Sequence, residues 1–466
     1  MAKSNGLSRL ERFWFITIML IGTFTMSISQ SSLSTAYPTL MKYFDISASS
    51  VQWLTTGFMI IMCIMMPISP WLLNNMSFKK LFMGVLLMFD LETLIILISN
   101  SFAWVLFGRA LEAIAVGILF PSYQTVLLNI TPEDDRGTIM GVAGLVMGSA
   151  LACGPIISGI VLRFTTWRGL FDVFIVIITA VFLISFFVMK DVMPRIKSKL
   201  DWISIIYSFG LIGILYVISE IAKPNNNYGL LLLILVVSII LIALFVVRQF
   251  RISNPLLNLN VLKTFNYDLA VLLTGFSYIS LIVVTIIFPL YYQQVLNVSP
   301  FISGMALVPG AVFLSILNPI TGTIVDKIGF KPVMLTGMIM IVLGWAVLAF
   351  FPIYNIWAMM IIAMLIEGGN AFVMMPAVTL GADSLPEDLI SYGTALITTV
   401  RQVLGSTGVA VATIVLVRAT GFFKLSMPAM PAQVNGFHMV YWVFLVIAVV
   451  GLIFAVMIRT PKKDQK

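Results

Sequence analysis

The sequence predicts an all-α polytopic membrane protein, two related six-helix bundles with two linking transmembrane helices between them, about fourteen spans in all. Three observations carry this. Hydrophobic residues fill 60% of the 466 positions and charged ones 10%, a balance that no water-soluble globular class shows. The apolar residues gather into stretches of roughly twenty, the length at which an α-helix crosses ~30 Å of hydrocarbon. One segment also recurs: Pro67, Asn74, Ser77, Phe78 and Lys79 align at a constant offset with Pro319, Asp326, Gly329, Phe330 and Lys331. In the same way Glu112 stands nine positions before Pro121, and Glu367 nine before Pro376. A parallel repeat of segments too apolar to be stable alone in water is the mark of a two-bundle secondary transporter.

In chain order, spans are expected near 14–36, 50–73, 79–98, 102–127, 137–162 and 169–190, a first bundle over 1–190. The polar loop 191–200 introduces a linking pair near 201–221 and 227–248, so that 191–250 forms the insert. The remaining spans, near 266–293, 300–325, 332–351, 355–379, 389–417 and 437–459, form a second bundle within 251–466. The first apolar run is longer than a signal-peptide core and is expected to stay as a span.

Lys and Arg set the orientation. Lys3, Arg9 and Arg12 precede the first span, and the same side collects Lys79, Lys80, Arg136, Lys190, Lys327 and Lys331 among others. The other side holds only Lys42, Arg163, Arg168, Lys223, Arg418 and Lys424, which puts both termini in the cytoplasm. The net charge of +8 then reports topology and contact with anionic lipid, with no nucleic-acid partner. Cys63 and Cys153 fall inside spans and His438 is the single histidine, so neither a disulfide nor a metal site is expected. No phosphate-binding loop ending in Lys-Ser/Thr is present, which argues against ATP as the energy source.

Several motifs occur in a telling order. Arg109 and Pro121 lie in the fourth span; Gly148, Gly154, Pro155 and Gly159 in the fifth; Trp167-Arg168 precede the sixth; Gly322, Asp326, Lys327, Gly329 and Lys331 close a loop; Arg401-Gln402-Val-Leu-Gly405 lie near the end. With these motifs the chain resembles, over nearly its whole length, the fourteen-span drug:proton antiporters of the major facilitator superfamily. The resemblance implies the major facilitator fold, an antiporter motif at Gly148, Gly154, Pro155 and Gly159, and a cytoplasmic loop motif at 322–331. The chain departs from the family in several places. Ser29 stands where the first span usually carries an acid, and Glu112 stands where the family usually has Gln. The first copy of the loop motif is eroded as well, with Asn74 and Ser77 in the positions of Asp326 and Gly329.

An acid in the hydrocarbon zone is costly, so the few present are functional candidates. Glu112 lies about ten residues, roughly 15 Å, into its span, and Glu367 is at similar depth in the matching span. Either could take a proton from one side of the membrane and release it on the other. The competing structural reading is an ion pair: Arg109 is one turn from Glu112, and Arg401 is a candidate partner for Glu367. Asp90 and Glu92 are two residues apart and point in different directions, so one partner cannot satisfy both. Arg109 and Arg401 are the two midplane cations against these four acids, an excess that suits protons and lipophilic cations. In the fifth span the small residues offer a smooth face for close helix packing, and Gly154-Pro155 permits a bend. Asp326 is expected to contact a neighbouring helix terminus, with Lys327 or Lys331 on lipid or acid. With 28 Met and 34 Phe available, Trp53, Phe174 and Met374 are candidate walls of an adaptable apolar cavity.

These residues imply a transporter and not an enzyme: a proton-coupled multidrug efflux antiporter of a bacterial-type plasma membrane. It would be a monomer, driven by the proton gradient without a cofactor, and would bind small apolar or cationic compounds, protons and membrane lipids. Two alternatives stand beside it: an exporter dedicated to one endogenous lipid-like compound or metabolite, and a transporter-shaped sensor that binds without transport.

Overall fold

The computed structural model describes residues 8–193, 195, 199–220, 227–252 and 255–459, apart from the side chains at 34, 48, 49, 151, 152, 155, 219, 300 and 301. Lys3, Lys223 and the Pro155 side chain therefore lie outside the described residues. The helices of the first half are α1 (Arg9–Ser32), α2 (Trp53–Asn75), α3 (Phe78–Ile98), α4 (Phe102–Ile130), α5 (Arg136–Phe164) and α6 (Gly169–Val188). Between the halves lie α7 (Trp202–Ser208), α8 (Gly210–Glu220) and α9 (Tyr228–Arg251). The second half has α10 (Phe265–Gln294), α11 (Val308–Ile328), α12 (Phe330–Phe350), α13 (Ile356–Asp383), α14 (Ile390–Phe423) and α15 (Ala429–Val456).

Twelve helices among the described residues are long and apolar enough to cross a membrane, α1–α4, α6, and α9–α15 with α11 counted from Ile302. To these α5 adds a continuous helix of 29 residues. At the expected span 201–221 a one-residue turn at Phe209 separates α7 from α8, and among the described residues the apolar stretch covers Trp202–Ile218. The Phe209 amide bonds back to the Ile206 carbonyl in the tighter one-in-three register, and Gly210 follows with the poorest helix propensity short of proline. The fourteen expected spans are thus not all matched by long membrane-crossing helices.

Apart from α5 and α11, whose most extensive contact is with each other, helices α1–α6 pack mainly on one another, and so do α10–α15. Seams between the two sets run along α5 with α11 and α13, and along α14 with α2 and α4. The linker leans across the second seam, because α8 contacts both α2 and α14. Its partner α9 exposes Leu230, Leu232, Leu233, Ile239 and Ile240, an apolar face suited to lipid. The twin prolines act differently. Pro121 sits inside an unbroken α4, whereas Pro376 lies four residues after Phe372, where α13 breaks over Phe372–Val373 because the ring removes the hydrogen bond to that carbonyl.

Local chemistry explains several ends. Ser8 and Glu11 form a reciprocal capping box at the start of α1, with Ser8 N donating to Glu11 Oε2 at 2.8 Å. Arg168 reaches the end of α3, donating to the carbonyls of Leu97 (3.0 Å) and Ser99 (2.5 Å), while its guanidinium lies 4.5 Å from the Trp167 ring centroid. The Trp-Arg pair is therefore a clamp between α3 and α6. Asp201 binds Arg248 through two bonds of 2.7 and 2.9 Å, which ties the start of α7 to the end of α9. The Arg248 hydrogen bond, helped by Ser204, holds the Asp201 carboxyl below its usual range. Its contribution is then present above the unfolded value of about 4 and lost as pH falls through the lower folded value. In detergent, the native chain should lose thermal stability over that acid range more steeply than Asp201→Asn, and equal slopes would contradict the linkage.

Candidate functional site

The acids of α3 and α4 converge on one cation. Arg109 and Glu112, one turn apart on α4, form an ion pair, and both are buried, at 2% and 0% exposure. Glu92 projects from α3 toward the same pair, is fully buried, and has only one oxygen engaged, by the Thr93 hydroxyl at 3.0 Å. Oxygens Glu92 Oε2 and Glu112 Oε1 have no hydrogen-bond partner. The α3–α4 approach is close enough that a Cβ at Gly108 would meet Ile96 at 2.6 Å and the Glu92 carbonyl at 3.2 Å. Ser29 of α1 stands beside Glu112 with its own hydroxyl unpartnered. Glu112 thus faces Ser29 across the α1–α4 contact. Asp90 turns the other way, toward α6, where the Thr179 hydroxyl donates to it at 3.1 Å.

Two carboxylates and one guanidinium leave this cluster one negative charge in excess unless a proton is shared among them. Burying an uncompensated charge costs several kcal/mol, so the arrangement has a place for one proton.

In the second half, Glu367 of α13 is buried against Gly310, which precedes most of α11; a Cβ at that glycine would lie 2.7 Å from Glu367 Oε2. No cation pairs with Glu367 among the described residues, and its Oε2 is unpartnered, as is the nearby Tyr292 hydroxyl. The candidate pairing of Glu367 with Arg401 is absent. Arg401, on α14, lies instead against the Tyr278 ring, 5.3 Å from its centroid.

A cavity of ~380 Å³ opens between α2, α4 and α8, lined by Trp53, Phe58, Leu106, Arg109, Ile212 and Tyr216 among others. Trp53 stacks on Tyr216 at 6.2 Å, and Arg109 lies 4.4 Å from the Phe58 centroid. The acid cluster therefore borders an aromatic pocket. Phe174 packs on Phe171 within the first-half core, and Met374 is buried where α13 resumes, so neither lines this cavity.

Among the described residues, every hydrogen bond and ion pair linking the two helix sets lies toward one end of the molecule. The Asp326 carboxylate accepts from Gly137 N (2.9 Å), Thr138 N (2.8 Å) and Thr138 Oγ1 (2.6 Å), capping the start of α5, where unpaired amides and the helix dipole favour a negative charge. The glycines make this fit possible: a Cβ at Gly137 would collide with Asp326, and one at Gly322 with the Gly137 carbonyl. Arg136 pairs with Asp383 at 2.7 Å, and Thr125 meets Thr394 at 2.5 Å. In the eroded copy, Asn74 makes one long bond of 3.4 Å to the Tyr392 hydroxyl. Lys327 is exposed and Lys331 half-buried, at the same end. Gly329 takes a left-handed φ of 86° at the turn into α12, whereas its twin Ser77 is an ordinary N-cap of α3.

The fifth-span glycines divide their work. A Cβ at Gly141 or Gly144 would come within 2.5 Å of Asn318 atoms on α11, and one at Gly148 would lie 3.0 Å from Ser315 Oγ. Gly154 instead faces Ser31 of α1, and Gly159 has open space around it.

Sequence reading missed Tyr216, Phe58, Arg136 and Asp383. The last two had a signal: Pro-Glu-Asp at 132–134 recurs at 386–388, ahead of the twin helices α5 and α14. The linker's aromatic wall had none, since Tyr216 belongs to an insert without a repeat partner.

The family model described as Major Facilitator Superfamily matches residues 19–409 and 270–466. The lincomycin resistance protein LmrB of Listeria monocytogenes is 31% identical over 473 residues, covering 99% of both chains. The riboflavin transporter RibZ of Clostridioides difficile is 24% identical (96% of this chain, 98% of that protein), and the multidrug export protein EmrB of Escherichia coli is 23% identical (85% and 79%). The crystal structure of the human organic anion transporter MFSD10 superposes with a TM-score of 0.68 at 12% identity, covering 96% of this chain and 100% of that one.

Proposed function

The chain belongs to the major facilitator superfamily, multi-pass membrane transporters and not enzymes, and from that premise we propose that it exports lipophilic, often cationic compounds in exchange for protons. The observation that carries this reading is the cluster of Glu92, Arg109 and Glu112 beside the aromatic cavity. Its vacancy for one proton couples to a cation in the pocket by simple electrostatics: a lipophilic cation near Arg109 and Glu112 is favoured when the proton has left and disfavoured when it is bound. Glu367 is the second titrating group. The names of two relatives, lincomycin resistance and multidrug export, support the direction of transport.

The Lys-rich end that carries Asp326 is assigned to the cytoplasm, with both termini there. With that end latched, the conformation is closed toward the cytoplasm, and export proceeds as the bundles 1–190 and 251–466 rock about the α5–α11 and α2–α14 seams, with the insert 191–250 riding on the latter. The energy source is the proton gradient, with no cofactor.

Cells expressing the chain should accumulate less ethidium than control cells, and a protonophore should erase the difference. The riboflavin relative favours a second reading, a dedicated metabolite exporter. That reading gains if a panel of lipophilic cations is ignored while a single metabolite is moved.

A further inference from the structure

Among the described residues, Arg401 is the buried cation of the second half, and the proton cycle does not use it. It lies about eleven residues, roughly 16 Å, into α14 from its start at Ile390. It is 2% exposed, makes no ion pair among the described residues, and its Nε and Nη1 have no hydrogen-bond partner. A guanidinium keeps its charge at any physiological pH, so unlike Glu367 it cannot escape the cost of burial by titrating.

Its surroundings are arranged for a ligand's acceptor atoms. The Tyr278 ring lies 5.3 Å from the guanidinium carbon, while the Tyr278 hydroxyl is engaged by Gln402 Oε1 at 3.2 Å. Tyr123 of α4 reaches the same region from the first half, and its hydroxyl is spent on Met147 Sδ at 2.9 Å. Both tyrosines thus supply aromatic walls and leave Arg401 Nε and Nη1 free. The site sits on the seam where α14 meets α4 and α2. Ile60 and Ile212, which line the cavity, pack with Cys63, Leu215 and Val403 of α14, so one apolar layer separates this region from the pocket.

We propose that Arg401 is a substrate-binding residue for the carboxylate of an apolar molecule that carries an acidic group, either a lipophilic acid or a zwitterion. A carboxylate matches the planar guanidinium with charge-assisted bonds, partners one of the orphan nitrogens, and cancels the buried charge. An ammonium group would be repelled there. The substrate range then extends past cations to molecules whose acid binds α14 within the seam that α14 forms with α4 and α2. This rests on the reading that the seam carries the transported molecule.

The test uses two probes that differ only at one group, tetramethylrhodamine free acid and its methyl ester, with the purified full-length chain in lipid nanodiscs and fluorescence polarisation as readout. The native chain should bind the acid at least as tightly as the ester. Arg401→Gln should lose ~10- to 100-fold for the acid and less than about threefold for the ester. Arg401→Lys, which keeps the charge without the fork, should retain a reduced preference for the acid and decides the matter if the Gln variant does not fold. A native chain that prefers the ester, or variants that weaken both probes equally, would overturn the assignment. Proton exchange is scored separately: acid binding through Arg401 without proton-driven movement of either probe removes the exporter reading and leaves this one. Proton-driven ester export without acid binding does the reverse.

Discussion

Glu112→Gln should abolish proton-driven export, a loss of about 100-fold or more, the scale seen when an obligate proton-transfer group is removed. Glutamine is nearly isosteric, so α4 keeps its packing against α1, α2 and α3. The charge count makes the same case. With Glu112 neutral, Arg109 is balanced by Glu92 alone, and the cluster holds one cation and one carboxylate with no vacancy for a proton. The variant should therefore fold, reach the membrane and still catalyse downhill exchange of labelled for unlabelled substrate, while accumulation driven by an imposed pH gradient disappears. Native accumulation by this variant, with unchanged pH dependence, would remove Glu112 from the coupling site. The parallel change at Glu92 should likewise leave the fold intact and remove the vacancy, because the Gln amide oxygen can still accept from the Thr93 hydroxyl and Arg109 stays paired with Glu112.

The second large effect is expected at the latch. Asp326→Asn removes the charge that caps α5 and replaces one acceptor oxygen with a donor that faces the amides of Gly137 and Thr138. A charged cap with two or three amide and hydroxyl bonds contributes about 2 kcal/mol, which corresponds to a roughly 30-fold shift between open and closed forms of that end. Spin labels at the facing ends of α5 and α11 should show a longer distance population grow in the variant, and export should slow because the closed form is no longer regained promptly. Asn74→Ala, at the pseudo-equivalent place, should do far less, since it loses one 3.4 Å bond between neutral groups. Equal effects from the two substitutions would contradict a latch built on the charged side. Arg136–Asp383 adds to that same side: the positions matching it in the repeat, Ile390 and Asn129, carry no charge.

The fold was legible where physics is local. Membrane spans follow from twenty-residue apolar length, and the latch followed from the Asp326 repeat, because a carboxylate next to a chain reversal has few partners other than a helix start. Divergent directions for Asp90 and Glu92 followed from helical geometry and are seen in their separate partners, Thr179 and the α4 pair. What stayed hidden depends on tertiary approach. The break at Phe209 is set by one Phe-Gly step inside a stretch apolar enough to read as a full span. Pairing of Arg401 with Glu367 was plausible from depth alone, yet depth does not fix azimuth, and the two side chains end on different helix contacts, Gly310 for one and Tyr278 for the other. That Ser29 and Glu112 stand side by side is likewise set by the α1–α4 contact, which helix depth alone does not give.

The most direct test of proton-coupled export is substrate-evoked proton movement in sealed proteoliposomes that hold an imposed pH gradient and a pH-sensitive dye. Adding ethidium to vesicles with the native chain should dissipate the gradient in proportion to ethidium moved, Glu112→Gln vesicles should stay silent, and Glu367→Gln should change the proton-to-substrate ratio. Ethidium movement by the native chain with no accompanying proton flux would contradict the account.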